Sequence, residues 1–84
     1  MLFNWYRIFN LDEFLATGLV SRSLQFNFQG IGVKTVHITR GNLVSVQVDD
    51  AFVPLEMNGE NPYMFDNRAV YLDVHRDVWL GFPQ

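Results

Sequence analysis

Apolar residues recur along this chain at two spacings. Leu11, Phe14 and Leu15 follow the i, i+3, i+4 spacing of a helix with one buried stripe. Asn10 stands just before them as an N-cap, and Glu13 three places on completes a capping-box pattern. Asp12 and Glu13 lie in the first turn, where the helix dipole favours negative charge. Gly18 supplies a residue that accepts the left-handed conformation of a helix end. The pattern predicts one short helix over residues 11–17.

Elsewhere the period is two. Phe3 to Phe9 is rich in aromatic residues without a helical stripe and reads as a first strand. Leu24, Phe26 and Phe28 alternate with polar neighbours, as do Val36 and Ile38, and then Val44, Val46 and Val48. Gly30-Ile31-Gly32, Gly41-Asn42, Asp49-Asp50, Asn58-Gly59 and Asp66-Asn67 read as turns or bends between runs. Phe52 to Leu55 returns after Asp49-Asp50, and Pro54 makes that strand an edge strand or an irregular one because proline has no N–H to donate. Pro62 to Phe65 is ambiguous. Ala69 to Val74 and Val78 to Phe82 form a last hairpin around His75-Arg76-Asp77. The expected class is α+β, mainly β: an antiparallel meander curled into a small barrel or a strongly twisted sheet, with one N-terminal helix.

Size sharpens this picture. A chain of 84 residues is short for two cores, so residues 1–84 read as a single domain. Such a domain buries only about 60–65% of the surface its unfolded chain exposes. Cysteine is absent, which removes disulfides and thiolate metal sites as staples. Yet the chain carries eight Phe, three Tyr and two Trp. That many rings on so short a chain exceed what one small core can hide, and this excess points to a partner surface. Trp5, Tyr6, Val53, Leu55, Tyr63 and Trp79 are the candidates to line an interface or a ligand pocket. Phe14, Leu24, Phe26, Phe28, Val44, Val46 and Val48 read as core.

The net charge is −3, and the basic residues are scattered singly, so no stripe matches a row of phosphates. Nucleic acid is therefore not an expected partner. No apolar run approaches the roughly 20 residues of a membrane helix, and Asn4 and Arg7 interrupt the first apolar stretch. Membrane is not expected either, and the setting reads as cytoplasmic.

Candidate chemistry is sparse. If Asp73 to Asp77 stays extended, Asp73, His75 and Asp77 point to one side and could hold a divalent metal or act as an acid–base set. A hairpin turn at the same place would scatter them. His37, between Thr35 and Thr39, reads as a general base with hydroxyl neighbours or, more simply, as part of a polar outward face. Asp49, Asp50, Glu56 and Glu60 form a loose acidic stretch whose spacing departs from an EF-hand loop. No nucleophile elbow or dinucleotide fingerprint is present. The expectation is a non-enzymatic interaction module without a cofactor, which self-associates as a homodimer or binds another protein. The alternatives are a small-ligand binder with an aromatic pocket and a metal-dependent enzyme built on Asp73, His75 and Asp77.

Overall fold

The computed structural model describes residues 2–28, 32–57, 61–65 and 67–84. Strand β1 covers Phe3–Asn10 and runs straight into helix α1, Leu11–Thr17. Four strands follow: β2 at Ser21–Phe28, β3 at Gly32–Arg40, β4 at Val44–Val48 and β5 at Ala51–Pro54. After a short 3-10 turn at Leu55–Met57 come β6 at Tyr63–Phe65, β7 at Arg68–Leu72 and β8 at Asp77–Pro83. The strands form two four-stranded antiparallel sheets, ordered β1-β8-β7-β6 and β2-β3-β4-β5, and neither closes into a barrel. The chain divides accordingly into two compact units, residues 1–18 with 57–84, and residues 19–56.

In the first unit, the N-terminal strand pairs with the C-terminal one, from Phe3 opposite Pro83 to Asn10 opposite Asp77. The register shifts between Arg7 and Phe9, which leaves Ile8 as an extra residue. A bulge of this kind lets two consecutive residues turn inward, and both Ile8 and Phe9 are buried. The bulge also bends the strand into α1. There Asn10 is extended, the N–H of Glu13 donates to its Oδ1 at 3.0 Å, and Gly18 ends the helix at φ 75°. Leu11 and Phe14 are buried, with Phe14 edge-on to Phe9 at 5.9 Å. Leu15 differs from expectation: it is 39% exposed, because a helix of seven residues presents only a narrow stripe to one strand. Across the sheet, Val70, Leu72, Val78, Leu80 and Phe82 complete the buried face.

The second unit is a plain meander, β2 to β5, in sequence order. Its buried face carries Phe28, Val36, Ile38, Val46, Val48 and Val53, with Leu24 and Phe26 half-buried on the same face near the sheet edge. The pairs Val36–Val48, Ile38–Val46 and Val46–Val53 lie directly opposite one another. Such β-branched cross-strand pairs hold a register firmly, since a slip of one residue would expose the whole set. Pro54 sits on edge strand β5, where its missing N–H leaves no broken ladder. Asp49 turns β4 into β5 at φ 54°. The expected bends at Gly30-Ile31 and Asn58-Gly59 lie outside the described residues, as does Asp66. Among the described residues, no helix is long and apolar enough to cross a membrane.

Candidate functional site

The face of the first sheet opposite its buried side is aromatic. Alternation along β1 puts Phe3, Trp5 and Arg7 there; β7 adds Ala69 and Tyr71, and β8 adds Trp79 and Gly81. Two cross-strand rows result, Trp5–Gly81–Ala69 and Arg7–Trp79–Tyr71. Gly81 and Ala69 make the first row low in the middle, and the indole of Trp5 lies down over it. A Cβ on Gly81 would stand only 2.9 Å from Trp5 Cζ3 and 3.0 Å from Cη2. Trp5 then meets Tyr71 at 6.4 Å between ring centroids, with planes 65° apart, and Phe3 backs it at 5.6 Å. Two rings near a right angle form a corner rather than a flat stack.

Trp5, Tyr71 and Trp79, with Pro62 and Asp73, line an open concavity of about 630 Å³. That volume lies within the range of small-ligand sites, roughly 300–1,000 Å³. Trp5 is 40% exposed, and Tyr71 and Trp79 are half-buried, so the ring faces are reachable from solvent.

Asp73 is the anionic wall of the cleft, and its position comes from the turn it organises. Its Oδ1 accepts the backbone N–H groups of His75 and Asp77, both at 2.9 Å, while the N–H of Arg76 donates to its carbonyl at 3.0 Å. Arg76 takes a positive φ of 68° to close the turn. The remaining oxygen, Oδ2, accepts the indole N–H of Trp79 at 2.9 Å. The Trp79 bond is the main cause holding the Asp73 carboxyl below its ordinary range; desolvation opposes it, and the Asp77 and His75 amides and the nearby His75 ring reinforce it. Asp73 is therefore a carboxylate at neutral pH, and it has no salt-bridge partner among the described residues.

The turn also decides the fate of the Asp73–His75–Asp77 set. Its geometry breaks the alternation that would have brought the three side chains together. Asp73 Oδ1 holds the turn and Oδ2 accepts the Trp79 N–H, while Asp77 Oδ1 accepts from Arg7 Nε and Asn10 Nδ2, each at 3.0 Å. No group of three His, Asp or Glu side chains suited to a metal exists among the described residues, in this turn or along the stretch from Asp49 to Glu56. Glu60 lies outside them.

The six interface candidates separate into three pairs. Trp5 and Trp79 line the cleft. Tyr6 and Tyr63 are half-buried on the opposite face, Tyr6 edge-on to Phe82 at 6.1 Å and Tyr63 6.4 Å from Phe65. Val53 and Leu55 are each 1% exposed, so they belong to the interior; Phe52, 59% exposed, is the ring that β5 turns outward. Tyr71 and Asp73 complete the cleft in a way the pattern of rings alone did not single out. The available signal was parity: Tyr71 and Asp73 alternate with the inward Val70 and Leu72.

His37 lies on the outward polar face of the second sheet. Its hydroxyl neighbour is Ser23 of β2, with Oγ 2.6 Å from Nδ1, rather than Thr35 or Thr39. Gln47 stands opposite it on β4. An activated nucleophile needs a base oriented by a third group, and no carboxylate bonds His37 among the described residues. The pair is a surface hydrogen bond in a polar-lined groove that includes Thr35, Gln47 and the ion pair of Lys34 with Asp49 at 3.5 Å.

No protein-family model matches the chain, and no curated protein or solved structure is similar enough to it to match.

Proposed function

We propose that this chain is a non-enzymatic interaction module that engages another protein through the Trp5–Tyr71–Trp79 cleft. The observation that supports this most is the placement of both tryptophans of the chain on one solvent-open face. Trp and Tyr are the residues that most often anchor interfaces, because each contributes a large rigid area with a polar tip. Trp5, Tyr71 and Trp79, with Pro62 and Asp73, surround an open recess into which a partner side chain can enter. We read the setting as cytoplasmic, which suits a cysteine-free chain. A peptide array probed with the full chain tests the reading. Sequences that bind should lose most of their signal with Tyr71→Ser, a substitution on the open face. Binding that ignores Tyr71 would remove the cleft from the function.

Self-association is the second reading, and β2 supports it. This strand is eight residues long, lies at a sheet edge, and contains one charge and no proline. The N–H of Arg40 bonds the carbonyl of Val20 at 2.7 Å. Antiparallel alternation then aims the backbone groups of Ser21, Ser23, Gln25 and Asn27 away from β3. Unpaired edges of this kind invite a second copy. A two-fold pairing centred on Gln25 sets Ser23 against Asn27 and Leu24 against Phe26, and keeps the two Arg22 charges apart. Sedimentation velocity should find a dimer that Gln25→Pro dissociates without unfolding. A monomer at high micromolar concentration would exclude this mode.

A further inference from the structure

Three features of the cleft favour a cation over a neutral apolar group. Aromatic faces carry negative potential, and Trp5 and Tyr71 offer two of them at 65°. Trp79 donates its N–H to a carboxylate at 2.9 Å, which pushes further electron density into the indole. Asp73 itself adds a full charge, and no lysine or arginine is among the described lining residues. Arg7, the cation of the same cross-strand row, is held by Asp77 at 3.0 Å.

The free acceptor capacity selects among cations. A carboxylate offers about four lone-pair sites, two on each oxygen. Oδ1 is filled by the amides of His75 and Asp77, and Oδ2 has accepted one bond, from Trp79. Among the described residues, one site on one oxygen remains. A guanidinium fork engages both oxygens at once, whereas an ammonium needs a single one. Resting on the binding-module reading above, we propose that the cleft takes a lysine side chain of a partner protein. The alkyl stem lies against Trp5 and Tyr71, and the ammonium donates to Asp73 Oδ2.

Trp5 and Trp79 are the chain's only tryptophans, so emission excited selectively at tryptophan reports from the cleft alone. The full chain is titrated at low salt with acetyl-Gly-Lys-Gly-amide, with its norleucine counterpart and with its arginine counterpart. The lysine peptide should bind at least about tenfold tighter than the norleucine one, and the gap should close to about twofold in ~1 M salt. Asp73→Asn should abolish the preference. Because that change can loosen the turn, Tyr71→Leu serves beside it: it removes one ring, leaves every Asp73 bond in place, and should weaken the lysine peptide roughly fivefold. Equal binding of lysine and norleucine overturns the cation assignment while the cleft remains a binding surface. Arginine binding as tightly as lysine overturns the single-site argument. If none of the three peptides alters the emission, the assignment fails alone when array binding still depends on Tyr71, and the module reading fails with it when array binding does not.

Discussion

Gly81→Ala tests the geometry on which the cleft depends. The new methyl would stand 2.9–3.1 Å from three carbons of the Trp5 ring. Its nearest neighbours are the outer atoms of one side chain, so the indole lifts and the strand stays put. An aromatic side chain buries roughly 150–250 Å² when enclosed, and Trp5 is 40% exposed, so it is about 60% covered now. Losing about a third of that cover exposes roughly 50 Å², a cost of about 1.3 kcal/mol at ~25 cal/mol per Å². Replacing glycine by alanine returns roughly 0.4–1 kcal/mol by restricting the unfolded chain. The net loss is therefore below about 1 kcal/mol, a fall in Tm of only several degrees for a chain of this size. The optical change should be large by comparison. In a Trp79→Phe background, where Trp5 is the sole fluorophore, Gly81→Ala should shift the emission to longer wavelength and raise acrylamide quenching. Unchanged emission with a Tm that barely moves would refute the seating of Trp5 on Gly81. A loss of several kcal/mol would show that the ring is locked rather than free to lift.

Other outcomes follow from the turn and the helix start. Asn10→Ala removes the cap on Glu13 together with bonds from Nδ2 to the His75 carbonyl at 3.1 Å and to Asp77 at 3.0 Å; it should cost roughly 2–3 kcal/mol in urea unfolding, and a loss below about 0.5 kcal/mol would contradict that bonding. Arg76→Gly relieves a positive φ of 68° and gives up a surface pair with Asp12 at 3.5 Å, so stability should rise by about 0.5–1 kcal/mol; a decrease would mean the turn is not left-handed there. Asp73 has its carboxyl held low in the folded state, so its contribution is complete above the unfolded-state value and disappears as pH falls through the lower folded-state one. The stability gap between the protein and Asp73→Asn should therefore stay constant from neutrality down to about pH 4 and narrow only below it; a gap that closes near neutral pH would contradict the bonding around Asp73.

Local chemistry was the legible part of this sequence. The helix occupies Leu11–Thr17 with Asn10 and Gly18 as its caps, because cap residues and glycine act within a few positions of themselves. Val44–Val48 is a strand for the same local reason, with Val46 and Val48 buried and Gln47 exposed, although Ser45 is buried as well. Parity in β2 and β3 likewise separated inward Phe28, Val36 and Ile38 from polar neighbours. Long-range pairing was not legible. β1 joins β8 some seventy residues away, and nothing in the turn chemistry between them specifies that union. The Ile8 bulge is equally hidden, since an extra residue is defined only against its partner strand. The cleft was half visible for this reason. Trp5 and Trp79 stood out as rings, whereas their shared face depends on β1, β7 and β8 lying side by side. Asp73 resembled a metal ligand because its spacing to His75 and Asp77 suits an extended strand. The chain turns there instead, and the turn takes up Oδ1 of the carboxylate that the spacing advertised.

The proposed function requires that the open face of the first sheet be where this protein meets its partner. A fragment library screened by amide and indole NMR on the full chain examines that face without presupposing a ligand. Hits should cluster their shift changes on Trp5, Tyr71, Asp73 and Trp79, both indole N–H signals included. Hits that gather instead on the polar face around His37 and Gln47, or scatter without focus, would contradict it.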